Sequence, residues 1–311
     1  MSKKRRHHYI PRFYLQGFVD PANKPYIWIY EKGKPDVRNA TVNDIAVQKD
    51  YYSFIDIYGE KDTETYEDAL AEVEGKLAPA IKKIKDHESL TNEDKGAFAV
   101  FLGLTLTRVP NFRENIQKTT GELLKAISMI LASNSNNFKS YVEKVENDIG
   151  EKIGMPLGDL RKFILEGKYS VHVDPQHSLP MLALAGKLAP IFCDMKWAFF
   201  KATDSEKFVT SDNPLFRVDP TYQTGLLSGM GLLNKNIQVT LPISKDLAFL
   251  GTWGKSEGYN QADNDFIKEV NRRTIISASR FVFASQNSSE LNKLVQKYKN
   301  SAPKMKVEGI I

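Results

Sequence analysis

Two adjacent imidazoles, His7 and His8, head the run His7-His8-Tyr9-Ile10-Pro11-Arg12-Phe13-Tyr14-Leu15. An imidazole titrates near neutrality, so it can take a proton from water or ligate a metal, and Arg12 close behind supplies a fork-shaped cation suited to phosphate or carboxylate. Consecutive residues of an extended strand point to opposite sides, so the pair can share one metal or phosphate only where the backbone turns. Pro11 favours such a departure nearby. The His-His-x-x-Pro string resembles the entry to HNH-type nuclease sites, where one His is a general base and its neighbours hold a divalent metal. Only six residues precede His7 and the next histidine is His87, so neither the strand nor the further ligands of such a site lie close by in the chain. Two readings stand side by side: one ring packed and the other solvated, or a polar site completed by residues distant in sequence.

Several residues are candidates to complete it. Ser211-Asp212-Asn213-Pro214 follows an apolar stretch ending at Thr210 and precedes Leu215-Phe216, which puts a carboxylate at a strand end, where functional groups are often presented. The same residues are strong turn chemistry, because Asp and Asn side chains bond their own backbone and Pro fixes φ. Ser211-Asp212-Asn213 also spells an element of penicillin-recognising enzymes, but Ser-x-x-Lys occurs only afterwards, at Ser301 to Lys304, and that match is rejected. Arg108, at the end of an apolar helix, and Arg113 would either cap helix carbonyls or clamp an anion in bidentate fashion. His172 and His177 flank Asp174-Pro175, and His177 could add a third ligand. No helical His-x3-His pair is present, so a metal at this site would be Mg²⁺ or Mn²⁺ held by Asp212, His7 and His177 rather than zinc. Asn271, on a helix with Phe266 and Val270, would face inward and need a hydrogen-bond partner from backbone or ligand.

These residues must be held by elements at both ends of the chain. Tyr26-Ile27-Trp28-Ile29-Tyr30 predicts a strand, with Glu31-Lys32-Gly33-Lys34 as a turn. Tyr66, Leu70, Val73, Leu77, Ile81 and Ile84 share one helical face, with Pro79 placing a kink in that helix. Thr91 and Asp94 form a capping box opening a helix that stops before Pro110. Further helices are marked by Ile116 to Ile130, Phe138 to Val145 and Met181 to Met195. Strands return at Trp197 to Ala202, Lys207 to Thr210, Ile237 to Ile243, Leu247 to Gly251 and Arg280 to Ala284, with a helix over Asn264 to Ser277. The expected fold is therefore α+β: a small mixed or antiparallel sheet built from N- and C-terminal strands, with a helical middle layer. As one domain over 1–311, it divides into an N-terminal motif and strands (1–60), a helical insert (61–195), a C-terminal α+β part (196–300) and a flexible tail (301–311).

The opening run, Ile27 to Lys32, Asp50-Tyr51-Tyr52-Ser53-Phe54, Arg108-Val109-Pro110, Phe208 to Pro214 and Asn271 to Ala284 together resemble the bacterial DUF4238 family. The resemblance runs along nearly the whole chain. It implies a single shared architecture and brings no catalytic roles with it.

Composition bounds the rest. The 311 residues, 41% hydrophobic and 26% charged, can bury a sizeable core, and the single Cys193 excludes an intramolecular disulfide and is expected to be a small core residue. The basic Lys3-Lys4-Arg5-Arg6 is followed by polar residues instead of the apolar stretch of an export signal, and the longest apolar run, Ala97 to Thr107, is about half of the roughly 20 residues that span a bilayer. A cytoplasmic protein without membrane contact is expected. The net charge of +5 permits a polyanion. Two functions follow. The first is a metal-dependent hydrolase of phosphodiester or nucleotide-like substrates, with His7 or His8 as base, Asp212 and Asn213 positioning metal or water, and Arg108 stabilising charge; Ser211, Arg12, Arg113 and Asn271 would contact substrate. The second is a binding or regulatory module, in a stress or phage-defence setting, that grips nucleic acid, a nucleotide or another polyanion without chemistry.

Overall fold

The computed structural model describes residues 5–221, 231–254 and 257–303. Backbone proximity separates two compact units, one of Met1–Arg113 with Leu179–Pro303 and one containing Glu114–Ser178. In chain order the first half holds β1 (Arg6–His8), α1 (Arg12–Leu15), β2 (Tyr26–Glu31), β3 (Arg38–Thr41), β4 (Val47–Lys49), β5 (Phe54–Ile55), β6 (Lys61–Asp62), α2 (Thr65–Lys85), α3 (Asn92–Thr107), α4 (Pro110–Ser133), α5 (Ser135–Ile149) and α6 (Leu157–Glu166). The second half holds α7 (Leu184–Asp194), β7 (Lys196–Lys201), β8 (Thr210–Ser211), β9 (Phe216–Val218), β10 (Gln238–Ser244), β11 (Leu247–Thr252), β12 (Gly258–Gln261), α8 (Asn264–Ser277), β13 (Phe281–Ala284) and α9 (Ser289–Lys297). The class is α+β.

Strands from the two ends of the chain pair as expected. One sheet has the order β3-β2-β13-β8, with β13 antiparallel to both β2, where Val282 faces Tyr30, and β8, where Val282 faces Ser211. A second sheet runs β12-β7-β11-β10-β9, antiparallel except for the parallel pair β12 and β7. Over these sheets, α2 buries Leu70, Leu77, Ile81 and Ile84, the face that the four-three spacing marks. α3 opens on the Thr91/Asp94 capping box, both halves of which are present. It packs closely on α7: a Cβ on Gly103 would lie 2.6 Å from the Ala185 carbonyl oxygen, so only glycine permits this approach.

The opening motif is locked into that core. After β1 pairs with β4, the Tyr9 N–H donates to the Ala46 carbonyl, and Pro11 starts the single turn of α1 at φ −58°. Ile10, Tyr14, Leu15 and Phe18 are all buried in the main apolar cluster. The Tyr14 hydroxyl donates to the Pro242 carbonyl in β10 at 2.6 Å and lies 2.8 Å from Thr210 Oγ1 in β8, so one phenol ties the motif to both sheets. The second unit has its own cluster of Ala132, Phe138 and Val142 with Ile153, Leu157, Leu160 and Ile164, and glycines at positive φ, Gly150 and Gly167, end α5 and α6.

Three expectations are corrected. Lys207 to Thr210 does not form a strand of that length; only Thr210 and Ser211 pair with β13, because the Asn271 amide takes the Lys207 carbonyl and the Val209 N–H. The helix expected over Met181 to Met195 is shorter: Met181–Ala183 belong to a 3-10 segment, Pro175–Ala183, and α7 covers Leu184–Asp194. Cys193 is exposed: α7 turns Ala185, Ala189 and Phe192 to the core, and the next position rotates into solvent. β9, β12, α6 and α9 are additional elements. Of the flexible tail, residues 304–311 lie outside the described residues. Among the described residues, no helix is long and apolar enough to cross a membrane.

Replacing Tyr14 with Phe leaves a buried carbonyl and a buried hydroxyl without their partner, so Tyr14→Phe is expected to lower unfolding free energy by about 1–3 kcal/mol. Urea titration followed by circular dichroism checks this, the midpoint falling while the slope stays constant.

Candidate functional site

β1 is a regular strand, and its two imidazoles part company as alternation requires. His7 is 0% exposed; its ring stacks on Tyr52 at 5.6 Å between centroids, and its Nδ1 accepts the Tyr52 N–H at 2.9 Å. His8 faces the other way and is half-buried. Its Nε2 is shielded from solvent and has no hydrogen-bond partner among the described residues. Burial lowers the pKa of this ring to about 4, and the Arg12, Arg108 and Arg6 charges act in the same direction against a smaller opposing pull from the Val42 backbone. His8 is therefore neutral at physiological pH.

Arg108 is the centre of this region. It is 2% exposed, and its guanidinium donates to Glu74 Oε1 (2.7 Å) on α2, to the His8 carbonyl (2.7 Å) on β1 and to the Tyr52 hydroxyl (3.1 Å). Burial works against its charge, but Tyr52 and Glu74 outweigh that and hold it protonated. The bidentate clamp and the helix cap considered for Arg108 are thus replaced by a third use, bridging three segments of its own chain. Arg113 is likewise occupied: it donates to the Tyr51 carbonyl and lies over the Tyr51 ring at 4.1 Å, while the Tyr51 hydroxyl donates to the Arg108 carbonyl. Tyr51, Tyr52 and Glu74 were not singled out as site residues by type or spacing, yet they hold the arginines. The cue available in the sequence was the need of any buried arginine for a carboxylate.

Asp212 does different work. Its Oδ1 accepts the Ser279 N–H (2.8 Å) and its Oδ2 the N–H groups of Arg280 (2.8 Å) and Phe281 (3.0 Å), so it closes the turn between α8 and β13. Burial raises its pKa to about 6, with these three donors and Lys32 restraining the rise. Ser211 Oγ accepts the Asn213 N–H, and the Asn213 amide donates to the Ser277 carbonyl at 2.9 Å. Asn271 spends both ends of its amide on backbone at Lys207 and Val209. The motif and this turn meet electrostatically at Tyr9, whose hydroxyl pKa is raised by burial and then by the Asp212 charge, with Arg280 opposing. His177 is exposed and belongs to the second unit, whereas His7 and Asp212 belong to the first. Among the described residues, no group of three or more His, Cys, Asp or Glu side chains is gathered in a way that could hold a metal ion.

Between the opening turn and α2 lies a cleft of about 410 Å³, lined by Arg12, Phe13, Gln16, Asn43, Glu74, Gly75 and Ala78. Arg12 and Gln16 lie one helical turn apart and both are exposed. Glu74, Gly75 and Ala78 are the facing stretch of α2, where Gly75 keeps the wall low. Among the described residues, the Arg12 side chain donates to Asn43 Oδ1 alone, at 3.4 Å, so its guanidinium is the motif cation presented to this space. Glu74 is held by Arg108, which cancels much of its repulsion toward an anion.

Residues 6–288 match the family model described as "Protein of unknown function (DUF4238)". No curated protein and no solved structure matches the chain.

The lowered His8 pKa makes stability depend on pH. In the unfolded chain the ring takes a proton near its ordinary value of about 6.5, in the native state only near 4, so the contribution is fully present above pH 6.5 and is lost as pH falls toward 4. Allowing for the ring's partial exposure, the loss is about 1–2 kcal/mol. Urea unfolding at pH 7 and pH 5 is expected to show a smaller difference for His8→Gln than for the wild type.

Asp212→Asn places an amide NH₂ where backbone donors point and is expected to destabilise by about 2–4 kcal/mol. Thermal melts check this.

Proposed function

We propose a function from the premise that this chain belongs to the DUF4238 family: it is a binding module that takes an anionic group into the Arg12 cleft. The observation that carries this reading is the division of labour among the arginines. Arg108 and Arg113 are buried and committed to protein partners, whereas Arg12 is exposed beside a cleft whose volume lies in the range of small-ligand pockets. A guanidinium offers a forked pair of donors to phosphate or carboxylate, the amides of Asn43 and Gln16 add neutral donors, and Phe13 and Ala78 supply an apolar surface. A nucleotide, or a short stretch of single-stranded nucleic acid, has this combination of charge and flat apolar face. Of the groups that a hydrolase would use, the His7 Nδ1, the Asp212 oxygens and the Arg108 donors face their own chain, and His8 Nε2 is shielded from solvent, which favours binding over chemistry.

Two variants test the reading. Arg12→Glu reverses the charge and is expected to weaken binding of a nucleoside monophosphate or oligonucleotide by about 10- to 100-fold, the scale of a lost charge-assisted hydrogen bond. Gly75→Leu fills the cleft. A Cβ at Gly75 meets nothing within 4 Å, and replacing glycine inside a helix removes a cost of about 1 kcal/mol. Gly75→Leu should therefore abolish binding while the melting temperature holds or rises. Calorimetric titration at several salt concentrations provides both measurements; wild type that binds neither probe, or binding indifferent to both substitutions, overturns the proposal.

A further inference from the structure

We infer that the hairpin tip Ile57-Tyr58 of one copy of this protein docks in the Arg12 cleft of a second copy, an association that rests on the capacity of the cleft for an anionic group. The hairpin of β5 and β6 carries the most exposed large apolar side chains of the described residues, Ile57 at 91% and Tyr58 at 83%. They are not on a loose loop. The Asp56 N–H donates to the Glu60 carbonyl (2.9 Å), the Gly59 N–H to the Asp56 carbonyl (3.1 Å), and Asp56 Oδ1 accepts the N–H groups of Tyr58 and Glu60 (both 2.9 Å). Gly59, at φ +82°, supplies the left-handed residue that this turn requires.

A tip built in this way loses little conformational freedom on docking, and tyrosine is among the side chains that most often anchor interfaces. Its surroundings fix the kind of surface it fits. Asp56 and Glu60 bracket the two apolar residues, so the receiving pocket must combine an apolar lining with a cation. The Arg12 cleft has both: its 410 Å³ admits a phenol ring, Phe13 and Ala78 line it, and Arg12 in the same lining offers a guanidinium to a carboxylate flanking that ring. Tip and cleft are different patches, so the contact is heterologous, and successive copies either close a ring or extend a chain. Its small area makes it transient, and an anion in the cleft competes with it.

Proximity labelling between distinguishable copies tests this. In a Cys193→Ser background, Ile57→Cys protein and Ala78→Cys protein are mixed and treated with a short bis-maleimide. The mixture is expected to give covalent dimer several-fold above either protein alone. Glu60→Arg on the first partner should remove the excess, and Arg12→Glu on the second should restore it. Sedimentation velocity up to about 0.5 mM should show association in the wild type and none in Tyr58→Ser. Wild type that stays monomeric, a mixture no more cross-linked than its components, or association that survives Tyr58→Ser overturns the inference. Arg12-dependent nucleotide binding by the same monomeric protein would leave the cleft reading standing. Charge-swapped cross-linking without nucleotide binding would do the reverse.

Discussion

A full positive charge withdrawn from water is the constraint on which the site's arrangement depends. Arg108 sits at the end of α3 with almost no exposure, and an isolated cation there would be prohibitive. Its cost is offset by Glu74 from α2, the His8 carbonyl from β1 and the Tyr52 hydroxyl, with the Tyr52 ring 5.8 Å from the guanidinium carbon. Such an assembly adds little net stability over a well-packed apolar one, but removing any one partner strands the others, at about 3–5 kcal/mol. It therefore acts chiefly as a specification. Only one placement of β1, α2, Tyr52 and α3 satisfies the guanidinium, and that placement sets the Arg12 turn opposite α2 across the cleft.

The same logic explains what became of the residues whose types suggest catalysis. A group poised for chemistry keeps a lone pair or a proton facing the reactant. Asp212 instead faces three backbone N–H groups at the point where α8 gives way to β13, and Asn213 reaches a carbonyl in the last turn of α8. The Ser277 carbonyl is one that the end of a helix leaves without a partner, and the three N–H groups belong to the turn beyond it; here side chains satisfy both. The Asp-Asn-Pro string is used as the turn chemistry that its composition also allows. Because β13 lies between β2 and β8, this turn holds the strand that joins the two ends of the chain.

Much of this was legible in the chain, and the limits have physical causes. Helices α2, α3 and α8 declare themselves through local periodicity and caps, since the residues that make a helix are close in sequence; the Thr91 to Asp94 box and the Asn264 to Ser277 span are cases in point. The long inner strands β10 and β11 show as continuous apolar runs. β12 does not, because its four residues are all exposed and its identity comes from β7, some sixty residues away, and from the Tyr259 hydroxyl bonded to the Ile84 carbonyl. α9 had a readable start at Ser288, whose side chain accepts the Leu291 N–H. In the site, the parting of His7 from His8 follows from strand alternation alone. The choice of Glu74 for Arg108 does not, since the chain has 38 acidic residues and only tertiary structure selects among them.

The basic start of the chain shows why net charge is a poor guide to a binding surface. Arg5 is paired with Asp50, which Lys61 also contacts, and Arg6 with Asp44, while Lys3 and Lys4 lie outside the described residues. Exposed pairs of this kind contribute little stability, but each lowers the field that a distant phosphate would feel. A polyanion approaching β1 thus meets arginines already partnered by carboxylates. The Arg12 guanidinium differs because its neighbour is a neutral amide and the carboxylate in the cleft lining, Glu74, is occupied by a buried cation. The burial of Arg108 therefore has an electrostatic consequence beyond specifying the fold: by neutralising Glu74 it leaves the cleft positive, and recognition there rests on one well-placed guanidinium instead of a diffuse basic tail.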